Sequence, residues 1–86
     1  LKHYFIVRFP QRPGALMLFV YNVLGPHDDI TRFEFIKKTN KESGPALVGI
    51  ELKETGDYPL LLQRMAAFKF DAIELNKDQT LFEYLV

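Results

Sequence analysis

An α+β fold is predicted for this 86-residue chain: a four-stranded antiparallel sheet with two helices on one face and a short helix at the C-terminus. Three observations predict it. Alternating apolar runs recur along the chain, helix-period runs follow the first and third of them, and the breaks carry Pro, Gly and Asp. The order is β-α-β-β-α-β plus a tail. Right-handed crossovers fold that order into the ferredoxin-like arrangement.

His3 to Phe9 alternates as a strand, with Phe5, Val7 and Phe9 on one face and Tyr4, Ile6 and Arg8 on the other. Both faces are largely apolar, which predicts a central strand. Phe9-Pro10-Gln11-Arg12-Pro13-Gly14-Ala15-Leu16 then turns the chain into a helix over Pro13 to Leu24, stopped by Gly25-Pro26. Pro13 is placed in the first helical turn, where its missing N–H has no partner to lose. Gly14 allows close backbone approach, and the open N–H groups that follow make a corner suited to a carboxylate or phosphate. The unliganded alternative is a plain strand-to-helix turn.

Leu16, Phe19, Val20 and Val23 form the expected inner stripe of this helix, with Leu18 and Tyr21 on the other side. No residue from Pro13 to Pro26 is charged, so Leu18 and Tyr21 are expected to be covered by a partner domain or a second subunit. Pro26-His27-Asp28-Asp29 reads as a turn, and Ile30 to Lys38 as a strand with Thr31, Phe33 and Phe35 facing one way. Thr39 to Gly44 is a polar hairpin loop. Ala46 to Lys53 is the third strand, in which Gly49 leaves room for a bulky neighbour on the outer face. That face would show Tyr4, Ile6, Arg8, Arg32, Glu34, Ile36, Leu47 and Glu51, as plain solvent surface or as a docking face.

Asp57 is the expected cap of a second helix with Pro59 in its first turn and Leu61, Met65 and Phe68 as its core stripe. Phe70 to Asn76 is a short fourth strand. Asp78 caps a short helix carrying Leu81, Phe82 and Leu85.

Composition narrows the function. A hydrophobic content of 48% with eight Phe and four Tyr makes the chain globular, and its length makes residues 1–86 one domain. Eleven basic residues balance eleven acidic ones, which argues against a nucleic-acid or membrane surface. Without cysteine there is no disulfide scaffold, thiolate metal site or thiol chemistry, and the composition fits a cytoplasmic protein. The start at Leu1 rather than Met leads us to expect a piece of a longer chain.

Catalytic residues are not expected. His3 and His27 sit at a chain end and in a turn, with no partner at metal-ligand spacing, and read as solvated. Asp28 and Asp29 are adjacent acids suited to turn-making, and Lys37, Lys38, Lys41 and Glu42 form a mixed-charge loop. The third strand, Pro45-Ala46-Leu47-Val48-Gly49-Ile50-Glu51-Leu52, lacks the stacking aromatics of an RNA-recognition module.

The stretch Phe9 to Leu16, with its R-P-G-x-L, resembles the opening turn of ACT and ACT-like regulatory domains. Leu24 to Glu34, Gly44 to Glu51, Asn76-Lys77-Asp78 and Leu81-Phe82 extend the likeness over the whole chain. It is similar to the C-terminal ACT-like domain of biosynthetic threonine dehydratase, also called threonine deaminase, in the short bacterial form. The resemblance implies a domain that senses isoleucine as inhibitor and valine as antagonist, attached to a catalytic domain that carries pyridoxal phosphate; no cofactor is implied here. Gln11 departs from the acid common in related domains. On this reading Gly14, Ala15 and Leu16, helped by Arg12 beside Pro13, hold the effector carboxylate. Asp29 takes its ammonium, and Leu16, Val20 and Ile30 wall its side chain. The competing reading is a dimerisation or docking module of the same fold that binds no ligand.

Overall fold

The computed structural model describes residues 2–10, 13–36 and 43–86. Its strands are β1 (Lys2–Pro10), β2 (Asp29–Phe35), β3 (Ser43–Glu51) and β4 (Asp71–Glu74). They lie in the order β2-β3-β1-β4, and every neighbouring pair is antiparallel. This is the ferredoxin-like arrangement, with β1 central as its two apolar faces require. The helices are α1 (Ala15–Leu18), which continues as a π-helical segment over Phe19–Val23, α2 (Asp57–Ala67) and α3 (Gln79–Leu85). Phe5, Val7, Phe9, Ala46, Val48 and Ile50 from one sheet face pack with Ala15, Phe19 and Val23 of the first helix and Leu61 and Met65 of α2. Both long crossovers therefore cover the same face.

The first helix departs from the predicted stripe. Gly14 has φ +87°, so the helix starts at Ala15 and Pro13 lies before the cap rather than in the first turn. Ala15, Phe19 and Val23 are buried, whereas Leu16 and Val20 are 43% and 42% exposed. The π-helical stretch is the reason. Residues at i, i+4 and i+8 drift off one face of a regular helix, and an i→i+5 turn brings the last of them back. The Leu24 N–H closes this segment on the Phe19 carbonyl at 3.3 Å.

In β2 a bulge between Ile30 and Arg32 shifts the register. Ile30 pairs with Ile50 and Phe33 with Val48, so these two face the core, while Thr31 does not share the face of Phe33 and Phe35 as expected. The third strand starts at Ser43, earlier than predicted, and pairs with β1 through Pro10. Residues 37–42, including Lys37, Lys38, Lys41 and Glu42, lie outside the described residues.

Asp57 is the first residue of α2 instead of its cap; its carboxylate accepts from the Glu54 N–H at 3.2 Å. Phe68 is exposed because the helix ends at Ala67, and Lys69, with φ +63°, turns the chain so that Phe70 enters the core instead. The fourth strand is shorter than predicted, since Leu75–Lys77 form a 3-10 turn. Asp78 caps α3 as expected, accepting from the Leu81 N–H at 3.1 Å.

The outer sheet face is partly covered by the chain itself. Gly49 faces Tyr4 across the β1–β3 pair, and a Cβ on it would lie 2.9 Å from the Tyr4 ring and from the Thr31 hydroxyl. Tyr4 in turn meets Phe82 of α3 edge-on at 5.6 Å. Leu47, on the same face, is only 3% exposed.

Candidate effector groove

Where β1 hands over to the first helix, the φ +87° of Gly14 turns the backbone in a way a side chain would resist. The Leu18 N–H makes the first helical bond, to the Gly14 carbonyl at 2.8 Å. The amides of Ala15, Leu16 and Met17 precede that bond and so have no helical acceptor. Beside them a hollow of about 410 Å³ is lined by Phe9, Pro10, Gly14, Leu16, Phe35 and Gly44, with Ala15 at its floor. Its walls are apolar and its polar groups are backbone. Such a hollow can take a small anion head at the amides and an apolar tail along Leu16 and Phe35.

The fold thus brings Gly14, Ala15 and Leu16 together and sets Val20 one turn further along the same exposed ridge. Pro13 is exposed next to them. Arg12 and Gln11 lie outside the described residues. Asp29 and Ile30 are not brought to this groove within one copy. They open the seven-residue β2, and the groove is at its Phe35 end, roughly 20 Å along the strand. Asp29 pairs with Glu51, and Ile30 lies half-buried against the core. Of the two expected docking residues, Tyr21 is 74% exposed, but Leu18 is half-buried and packs on the core. Met17, exposed beside Tyr21, takes its place on the ridge.

Two polar clusters escaped the sequence reading. Arg64 of α2 donates from Nε to the Val23 carbonyl at 2.5 Å and from Nη2 to Asp28 Oδ2 at 3.4 Å. The same Asp28 oxygen accepts from the Gly25 N–H at 2.7 Å, so the turn after the first helix is clasped to α2. At the other cluster His3, expected to be solvated, is half-buried. Its Nδ1 donates to Glu74 Oε2 at 2.6 Å, and its ring stacks on Tyr58 with centroids 4.5 Å apart. The Tyr58 hydroxyl donates to the other Glu74 oxygen. That hydrogen bond, with burial and the Glu74 charge, pushes the Tyr58 phenol up to about 12. Isolated apolar neighbours in the sequence gave no sign of these long-range pairs. Among the described residues no three metal-ligating side chains converge.

The sheet order and the two helices covering one face define an ACT-like α+β domain. Residues 1–85 match the family model for the C-terminal regulatory domain of threonine dehydratase, and the chain belongs to that family. It is 59% identical over 86 residues to the biosynthetic L-threonine dehydratase IlvA of Bacillus subtilis (strain 168), covering all of this chain and 20% of that protein. It is 52% identical to the Lactococcus lactis enzyme of the same name, covering 21% of it, and 48% identical to that of Staphylococcus aureus, covering 20%. The chain therefore spans about one fifth of the length of these relatives, whose names are those of threonine dehydratases. No solved structure matches it.

Proposed function

We propose that this domain senses a branched-chain amino acid, isoleucine as inhibitor with valine as antagonist, for a threonine dehydratase whose catalytic part lies elsewhere in a longer chain. The observation that carries the reading is the hollow at Gly14, Ala15 and Leu16, set at the R-P-G-x-L turn of a family named for regulation. The effector carboxylate sits at the open amides, Arg12 is kept in the proposal by its place in the sequence before Pro13, and the aliphatic tail lies along Leu16 towards Val20. Asp29 and Ile30 stay in the proposal only as residues of a second copy, because one copy holds them at the far end of β2. Packing separates isoleucine from valine by one methylene, worth ~1–3 kcal/mol, so antagonism needs unequal coupling to two states of the enzyme.

Pyridoxal phosphate is assigned to the parent chain's catalytic part. The described lysines here, Lys2, Lys53, Lys69 and Lys77, are all exposed, which does not suit a Schiff base shielded from water. A cytoplasmic parent is proposed from its likeness to biosynthetic threonine dehydratases. Separately, no described helix is long and apolar enough to cross a membrane. A groove role predicts that Leu16→Asp in the full-length enzyme raises the isoleucine concentration for half-inhibition by about tenfold or more, as loss of a buried tail contact and an added repulsive charge require. Unchanged inhibition would remove the groove from the site.

The docking reading has its own observation. Met17, Val20 and Tyr21 are exposed on a helix without charged residues, and a second copy or the catalytic part of the chain is their proposed cover.

A further inference from the structure

A second hollow, of about 370 Å³, opens between α2 and β4 and shares no residue with the groove at Gly14. Its apolar floor is Leu62, Met65, Phe70 and Ala72. Its other end is charged. Glu74 and Lys77 both line it, and Tyr58 stands between them. The Glu74 side chain is only 9% exposed, and the hydrogen bonds from His3 and Tyr58 fix the direction of its carboxylate. An ionised carboxylate has about four lone-pair sites, so two donors leave acceptor capacity on both oxygens. The Lys77 ammonium stands over the Tyr58 ring, 5.9 Å from its centroid, and has no carboxylate within ion-pair distance among the described residues.

We infer that this hollow is a separate binding site for an α-amino acid with an aliphatic side chain. The ligand ammonium meets Glu74, its carboxylate meets Lys77, and its tail lies on Leu62, Met65 and Ala72. A fixed negative group alone would select an amine, and a positive one alone would select a carboxylic acid. Opposite charges at one end of an apolar hollow select a zwitterion with a tail. The volume lies at the small end of the range for metabolite pockets, which suits a single amino acid. His3 and Tyr58 act as positioning residues that hold Glu74 ready before the ligand arrives.

Equilibrium dialysis on the full-length enzyme, with L-isoleucine, L-valine and L-leucine as probes, tests this independently of the groove. The background is Leu16→Asp, which disables the groove. Saturable binding of one of these amino acids is expected to persist there, to weaken by about tenfold or more with Lys77→Met or Glu74→Gln, and to vanish with Ala66→Trp, which fills the hollow. Lys77 is exposed, so its variant keeps the test valid even where Glu74→Gln fails to fold. Isobutylamine and isovalerate, each lacking one charge, are expected to compete at least tenfold more weakly.

The site is overturned if Leu16→Asp alone abolishes all binding, if Lys77→Met and Ala66→Trp bind as the background does, or if the amine or the acid competes as well as the amino acids. Binding that survives Leu16→Asp unchanged and is lost with Ala66→Trp supports this site and refutes the groove instead. No binding to the unmodified enzyme refutes both.

Discussion

At the scale of single residues, the polar side chains with the most consequence are those whose partners are far away in sequence. Glu74 gathers His3 from the start of β1 and Tyr58 from the first turn of α2, and neither distance is visible in a linear pattern. His3 was expected to be solvated because no ligating partner stood near it in the chain; its partner is 71 positions away. The raised phenol pKa of Tyr58 has a definite sign. A folded-state value above the ordinary 10 means that the neutral phenol is favoured in the fold, so its stabilisation is complete below pH about 10. It is lost as the pH rises towards about 12. Tyrosinate absorbance should resolve one of the four tyrosines titrating late, and Tyr58→Phe should delete that component. Four tyrosines titrating together would refute the Glu74 contact. Residues whose role is local were legible: Asp78 as a cap, Asp28 as a turn-maker and Gly49 as a space-maker all follow from near neighbours.

Elements were legible in kind and order, and less so in register. Periodicity assumes a constant pitch, and this chain breaks it twice, once with an i→i+5 turn and once with a bulge. Each break lets a different set of residues share the core face, Ala15 with Phe19 and Val23 in the helix and Ile30 with Phe33 in the strand, and this leaves Leu16, Val20 and Thr31 off the faces that a constant pitch assigns them. The contact between sheet and α3 runs through Tyr4, which lies between Gly49 and Phe82. Gly49→Ala therefore pushes the Tyr4 ring against α3 and should lower stability by about 1–3 kcal/mol, measured by urea unfolding of this chain. Phe82→Ala in the same background should recover part of that loss by freeing the ring, and a strictly additive pair would show that α3 does not confine it.

For the whole molecule, the fold was legible because the alternating and helical runs occur in an order that right-handed crossovers close in one way. The groove was legible in part: the turn that forms it is local, whereas the distance of Asp29 from it is a property of the strand's direction. The ridge of Met17, Val20 and Tyr21 gives assembly its own test. Met17→Asp should weaken association of the full-length enzyme, read by sedimentation velocity, without loss of helical signal, because Met17 touches solvent and not the core. Leu18→Asp would not separate the two effects, since Leu18 packs on the core.

The π-helical segment has a consequence for chain length. The first helix is one residue longer than its anchors need. With a residue removed from 20–22, Ala15, Phe19 and Val23 would fall at i, i+4 and i+7, the ordinary spacing of a helix with one buried stripe. The segment between Gly14 and the Arg64 clasp can therefore lose a residue without disturbing either end. What changes is the outward ridge, which would rotate past the groove. Sequence length here is a means of altering what the helix presents while the core stays as it is.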